Sequence, residues 1–366
     1  MKILIMGFTK IKYMPYMNFY LDNIDRNTNE LHLLYWNRDF KKENEPSGIV
    51  LHEFKRYQED DVSKLSKIAS FKKYRAFAKK LISEEKFDFI IVLHSITGVL
   101  VADILEKQYN NRFILDYRDS TYEGFAPFKK IVGDLTKASR YTFVSSDAFR
   151  KFLPEGEKGK IFTSHNLLSE SLNHRDEKRL HGVPSDKIRI AFWGFIRHEE
   201  INREIIRKVA ADGRFELHYY GREQQIALHL KAYAKELCAD NIFFHGEYKP
   251  EDRYEFVRNT DLIHNIYNDN NMALAMGNKY YDGIIFYIPQ LCFEGSYMAE
   301  KAENAGVGLS CNPYDNDFTE KVYKYFKETD KYDFISSCDR ELKTILNEYN
   351  QNVDIISQCD IKVVHQ

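Results

Sequence analysis

The sequence predicts an α/β protein made of two doubly wound, Rossmann-like domains facing a central cleft, and three observations lead there. Its 366 residues suffice for two domains at about 150 residues each. Short, continuously apolar runs alternate with stretches of helical length, as in parallel sheets buried on both faces. That alternation stops near residue 170 and restarts at 188.

In the first series, strands are expected at 2–7, 31–36, 87–94, 112–117, 141–145 and 160–164, which makes residues 1–170 an N-terminal domain. Residues 171–187 carry Asn, His, Arg, Asp, Gly and Pro without apolar periodicity and read as a linker. The second series, 188–194, 215–221, 242–246, 261–266 and 288–293, defines a domain over 188–335. The segment 336–366 holds a helix from about 340 to 349, and its packing is open, a return onto the N-terminal domain being one arrangement. Ligands of doubly wound sheets gather at the carboxyl ends of the strands.

Composition removes several function classes. Lys and Arg number 53 against 55 Asp and Glu, a net charge of -2, so no global positive field exists to hold a nucleic acid. The 25 Tyr and 26 Phe are rings that a packed core must absorb. Cys238, Cys292, Cys311, Cys338 and Cys359 form no C-x-x-C pair and no zinc spacing, as expected of reduced thiols. The apolar opening run is too short for a signal sequence, and no run nears the ~18 residues that span a bilayer. A cytoplasmic protein is expected, either free or resting on the inner face of the cell membrane.

Common nucleotide and metal signatures are missing. The first strand is not followed by G-x-G-x-x-G, and neither a P-loop nor H-E-x-x-H occurs. Two strands of the second domain instead end in glycine: IRIAFWG at Gly194, with Arg197 three residues on, and FELHYYG at Gly221. A glycine there lets backbone approach a phosphate, and an arginine supplies charged donors; a tight turn with a solvated arginine is the competing account. In MGNKYYDGIIFYIP, Asn278 and Lys279 follow Gly277 at a predicted helix start, where N–H groups and the dipole favour an anion. Asp282 lies on the same helical face as Lys279 and could accept from ribose hydroxyls. An N-capped core helix is the alternative.

The order of these segments resembles the nucleotide-sugar half of GT-B glycosyltransferases, in particular glycosyltransferase family four. It comprises the arginine turn, the strand ending YYG, the strand ending FHGEY, the strand from Asp261, the N-K-x-x-D helix and the A-G-x-G turn at 305–308. The first domain contributes FDFIIVLHS, RFILDYRD, YTFVSSDAFRKFL and FTSHNLL, which look like strand ends of acceptor domains in members that build bacterial surface polysaccharides. Members commonly carry two glutamates eight positions apart. Here Asp282 stands at the second place and Leu274 at the first, and a lineage with N-K before the acidic residue is the better match.

The resemblance implies a GT-B enzyme that moves a sugar from a nucleoside diphosphate sugar to a saccharide or lipid-linked acceptor, with retention at the anomeric carbon. No cofactor or metal is expected, the nucleotide sugar being a substrate. Arg197 and Lys279 would offset the charge of the leaving diphosphate, Asp282 would hold the ribose, and backbone near Gly246 and Tyr248 the base. His94, Asp116, Arg118 and Asp119 would form the acceptor-side rim, with Asp119 as general base; an Asp116–Arg118 ion pair that only fixes the loop is the alternative. Two rival functions remain open, a nucleotide-sugar epimerase and a non-catalytic partner of another transferase.

Two further segments need an account. Residues 62–83 hold seven Lys or Arg and no acid, which suits an anionic membrane surface or, equally, a solvated helical face. Asp315, Asn316 and Asp317 spell D-x-D, but Glu320 follows Asp317 by three, so a capping-box helix start is expected rather than a metal site.

Overall fold

The computed structural model describes residues 1–58, 63–269 and 272–358; Asp60, Asp61 and Val62 ahead of the basic helix, and the tail from Cys359, lie outside the described residues. The chain divides into two compact units, one of residues 1–165 with those from Asn347 on, the other of Asn166–Leu346.

The first unit is a parallel sheet of seven strands in the order β3-β2-β1-β4-β5-β6-β7. The strands are β1 (Lys2–Met6), β2 (Glu30–Asn37), β3 (Val50–Lys55), β4 (Phe89–Leu93), β5 (Phe113–Tyr117), β6 (Tyr141–Val144) and β7 (Ile161–Thr163). Helices α1 (Asn18–Asn23), α2 (Lys64–Glu85), α3 (Ser95–Leu100), α4 (Ala102–Gln108) and α5 (Ala126–Ala138) connect them. Successive strand residues point to opposite faces. Ile3 and Ile5 therefore join Tyr20, Leu33 and Ile91 in one core, while Leu4 and Met6 join Tyr74, Val92 and Leu105 in another. Two covered faces are the reason these strands are apolar without alternation.

The second unit repeats the plan with six parallel strands in the order β10-β9-β8-β11-β12-β13. These are β8 (Ile188–Trp193), β9 (Phe215–Tyr220), β10 (Ile242–Gly246), β11 (Leu262–Asn265), β12 (Gln290–Phe293) and β13 (Gly308–Cys311). The helices are α6 (Glu177–His181), α7 (Glu199–Ala210), α8 (Gln225–Glu236), α9 (Arg253–Arg258), α10 (Asn278–Ile285), α11 (Tyr297–Ala305), α12 (Phe318–Glu328) and α13 (Lys331–Gln358). Ile190 and Phe192 pack with Ile201 and Ile205 of α7, and Ala191 and Trp193 with Tyr281 and Ile284 of α10. Cys292, Cys311 and Cys338 are buried free thiols and Cys238 is exposed.

Several expectations need correction. Strands β3 and β13 do not appear among the predicted runs, and both are edge strands. Their sequences, VLHEFK and GLSC, are half-buried or short and carry no continuous apolar signal. The expected linker is partly helical, with a 3-10 turn at Ser169–His174 followed by α6. It is held largely by charge, with Leu172 its one residue packed on the core of the second unit: Glu177 accepts from Arg258 at 2.9 Å and Lys178 donates to Asp261 at 3.0 Å, so it lacks apolar periodicity. Helix α13 is longer than the expected 340–349 segment. Phe334, Cys338 and Leu342 fill the core of the second unit, whereas Ile355 and Ile356 belong to that of the first. Asp317 is the N-cap of α12 but makes no side-chain cap bond. Glu320 pairs with Arg214 at 2.9 Å instead of closing a capping box.

Among the described residues no group of three His, Cys, Asp or Glu side chains converges, and no helix is long and apolar enough to cross a membrane.

Candidate active site

At the carboxyl ends of β8, β9 and β10 the three predicted glycines stand side by side. The N–H of Gly194 donates to the carbonyl of Tyr220 at 2.9 Å, and that of Gly221 to Gly246 at 2.8 Å. Gly194 has φ +124, open only to glycine, and a Cβ on Gly221 would sit 2.1 Å from the Gly194 carbonyl oxygen. Gly194 and Gly221 thus leave bare backbone where a side chain is excluded, and Gly246, at φ +81, extends the row into open space.

Arg197 and Lys279 flank it. Lys279 is the second residue of α10, whose N-cap Gly277 offers no side chain to the first N–H groups; the Tyr280 N–H turns to the Gly277 carbonyl at 2.9 Å, which leaves those of Asn278 and Lys279 for an anion. Its Nζ lies 4.0 Å from the Cβ position of Gly194 and 4.3 Å over the Phe192 ring. Burial pushes the ammonium down to about 7; Asp282 opposes the fall and the Arg197 charge deepens it. Arg197 is exposed, with its guanidinium 5.2 Å from the Phe195 ring. Asn278 is exposed beside Lys279.

The turn carrying Arg197 is braced from below by groups the sequence reading missed. The amide of buried Asn202 donates to the carbonyls of Arg197 and His198 at 2.9 and 3.0 Å. Its oxygen accepts from Tyr219 at 2.8 Å and contacts His264 Nε2 at 3.0 Å. Since His264 Nδ1 accepts from the Ile266 N–H at 3.1 Å, Nε2 must carry the proton and the ring is neutral. Burial, with the charges of Lys279 and His198 adding, keeps His264 down at about 3. His198 itself has φ +64 and a buried Nε2 without a hydrogen-bond partner among the described residues. Only its place after Arg197 could have marked it in the sequence; the bracing residues lie on other elements.

Asp282 differs from its expected role. It is 3% exposed, accepts from the Trp193 indole N–H at 2.8 Å and faces an Arg253 guanidinium nitrogen at 3.5 Å. Burial raises its pKa, with Arg253 opposing. The carboxylate therefore faces the protein interior and ties β8 to α10. Tyr248 is half-buried, edge-on to Phe256 at 5.2 Å, and burial raises its hydroxyl to about 12. Leu274 is half-buried ahead of α10.

In the first unit the predicted rim splits into two pairs. Asp116 and Arg118 are 0% and 3% exposed, joined at 2.6 Å. Tyr20 donates to Asp116 at 2.8 Å, and Arg118 donates to the Ser164 carbonyl at 3.0 Å. Their place on an acceptor-contacting rim is corrected: a fully buried ion pair fixes the loop after β5, and breaking one partner of such a pair is costly. His94 and Asp119 remain at the strand ends. His94 has φ +77, and its Nδ1 accepts from the Ile96 N–H at 3.2 Å, so Nε2 bears the proton, aimed at an Asp119 oxygen 3.7 Å away. Burial lowers the imidazole pKa, with Asp119 opposing. The Asp119 side chain is 70% exposed.

A scan against protein-family models and a search of curated proteins found no match. Solved structures do match over nearly the whole chain. Sucrose-phosphate synthase from Thermosynechococcus elongatus has TM-score 0.73 at 10% identity, covering 98% of both chains. HepE from Anabaena, in complex with UDP and glucose, has TM-score 0.67 at 13% identity, covering 98% of this chain and 99% of that one. The lipopolysaccharide outer core galactosyltransferase WaaB has TM-score 0.62 at 13% identity, covering 98% and 100%. A putative UDP-N-acetylglucosamine 2-epimerase from Listeria monocytogenes follows at 0.56 and 10%, covering 96% and 97%. The fold is GT-B, as expected from the order of motifs.

Proposed function

We propose that the protein is a glycosyltransferase that moves a sugar from a nucleoside diphosphate sugar to a saccharide or lipid-linked acceptor in surface polysaccharide assembly, with retention at the anomeric carbon. The observation that carries this reading is the half-buried Lys279 ammonium beside the Gly194 turn, its pKa lowered first by burial and further by the Arg197 charge, with Asp282 opposing. Burial and the Arg197 charge disfavour this ammonium, and the Asp282 carboxylate, already engaged by Trp193 and Arg253, offsets them only in part, so an arriving anion is favoured. Diphosphate supplies it. As the anomeric bond breaks, charge builds on the leaving diphosphate, and Arg197, Lys279 and the first N–H groups of α10 stabilise it from fixed positions. HepE, of the same fold, was solved with UDP and glucose, which supports a uridine nucleotide as the first donor to try.

The base is assigned to the backbone near Gly246 and to Tyr248. The ribose contact assigned to Asp282 becomes an indirect one, through the residues its carboxylate positions. On the first unit, Asp119, with His94 behind it, is assigned to the acceptor hydroxyl as general base. The basic face of α2 is assigned to an anionic membrane surface: its apolar residues Tyr74, Ala78, Leu81 and Ile82 are buried while Leu65 and Ile68 stay exposed among lysines. A cytoplasmic protein seated on the inner leaflet accords with that face.

Titration of UDP, GDP, ADP and CMP by calorimetry tests the reading. Wild type is expected to bind one diphosphate and Lys279→Ala to lose at least tenfold in affinity; equal binding by both proteins would remove the diphosphate site. The epimerase reading is favoured only by the weaker Listeria likeness. Conversion of a donor into an isomer without any acceptor would select it.

A further inference from the structure

The opposite end of the second sheet carries a cavity away from the Gly194 turn. At the amino ends of β8 and β11 a cavity of about 430 Å³ is lined by Lys178, Arg179, Arg189 and Lys331, with Asp261 the one carboxylate among its lining residues. Pro184, Phe334 and Ile335 form an apolar wall.

Asp261 is fully engaged. It accepts from Arg189 Nε at 2.9 Å, Arg189 Nη2 at 3.0 Å, the Arg189 backbone N–H at 3.0 Å and Lys178 Nζ at 3.0 Å. A single carboxylate shared by two cations leaves one positive charge over. Lys331 has no ion-pair partner among the described residues and adds a second, whereas the charge of Arg179, which also lines the cavity, is met by Asp176 at 2.8 Å. Burial lowers the Lys178 pKa, and the charges of Arg189 and Lys331 push the same way, as in a site short of negative charge.

We propose that this cavity binds a phosphate monoester carrying an apolar group. Two uncompensated positive charges match a phosphate monoester, which is close to dianionic above its second pKa near 6, and the Pro184, Phe334 and Ile335 wall takes the apolar part. Inorganic phosphate alone would leave that wall unused. Four residues of β8 separate Arg189 in the cavity from the Gly194 turn, a distance of roughly 17 Å at ~3.3 Å per residue, so the ligand is distinct from the donor nucleotide and the inference stands whether or not the donor site is correctly assigned.

Calorimetry with phenyl phosphate, run beside inorganic phosphate at constant ionic strength, tests it in wild type, Lys279→Ala and Lys331→Glu. Phenyl phosphate is expected to bind wild type and Lys279→Ala alike, at least tenfold more tightly than inorganic phosphate. Lys331 is exposed, so Lys331→Glu should keep the wild-type Tm and lose at least tenfold in affinity. Four results would each overturn the proposal: no saturable binding to wild type, binding lost in Lys279→Ala, binding unchanged in Lys331→Glu, or inorganic phosphate binding as well as its phenyl ester.

Discussion

Trp193, the last residue of β8, donates its indole N–H to Asp282 in the middle of α10 at 2.8 Å, and this bond sets where the start of α10 lies against the Gly194 turn. The same carboxylate faces Arg253, whose Nε has no partner among the described residues. Replacing Asp282 by Leu would orphan both donors in the core. A loss of about 3 kcal/mol is expected by urea unfolding, the usual cost of breaking a buried pair, together with weaker nucleotide binding. Normal stability with binding alone lost would show that Asp282 meets the ligand directly.

Lys279 gives the site a pH dependence with a definite sign. Its folded pKa of about 7 lies below the usual 10.5, so between those values the unfolded chain binds more protons and this residue's contribution to stability rises with pH. Lys279→Met should therefore raise Tm most below pH 7, and the gain should shrink toward pH 10. Nucleotide affinity runs the other way. On the proposed reading a diphosphate would bind the protonated amine, so affinity should fall by up to tenfold per unit above pH 7, with proton uptake visible as a buffer-dependent heat. A flat profile from pH 6 to 9 would remove Lys279 from the site.

Gly221 and Gly246 separate space from strain. A Cβ at 221 collides with the Gly194 carbonyl at 2.1 Å, whereas at 246 it meets open space and only φ +81 opposes it. Gly221→Ala is expected to cost more than 2 kcal/mol, about that of other overpacked sites, and to shift the Arg197 turn. Gly246→Ala should cost about 1 kcal/mol. Equal losses in paired unfolding curves would refute the close approach.

Asp119 and Asp116, three residues apart, should behave as opposites. Asp119→Asn, at an exposed position, is expected to leave Tm unchanged and to lower kcat by about 10²–10⁴-fold, the range for a general base. Asp116→Asn should lower Tm first, because it strips the charge from a buried pair with Arg118. Full turnover in Asp119→Asn would end its assignment as base.

For α2, flotation with vesicles containing phosphatidylserine should succeed at low salt, fail at high salt, and fail after charge reversal at Lys67, Lys72 and Lys73. Arg75 and Lys79 are engaged by Asp103 at 3.1 and 2.7 Å and should matter less. Absence of salt-sensitive flotation leaves α2 a solvated face.

Much of the architecture was legible because a strand covered on both faces must be largely apolar, as β4 is throughout and β1, β5 and β8 are apart from Lys2, Asp116 and Arg189. Edge strands β3 and β13 escape that constraint and left no trace. At the candidate site, the places of Gly194, Gly221 and Lys279 in the fold were readable because each stands where a strand ends or a helix starts. Asp282 and Asp116 misled: a carboxylate near such an end looks the same in sequence whether it faces solvent or turns inward to Trp193 or Arg118. Asn202, Tyr219 and His264 could not be found at all, since their contact joins three elements and repeats at no spacing.

Helix α13 spends its last turns in the first unit, where Ile355 and Ile356 are buried beside Ile3 and Ile5. A ribosome releasing this chain therefore exposes an unfinished first unit while the whole second unit is being translated, a wait of roughly 10–40 s at ~5–20 residues per second. During that interval the apolar face of its sheet has no native cover from the tail, so it is the nascent chain, rather than the finished protein, that most needs a chaperone. For the same reason a gene fragment cut after His165 encodes an incomplete unit, and the two halves cannot be separated by a single cut.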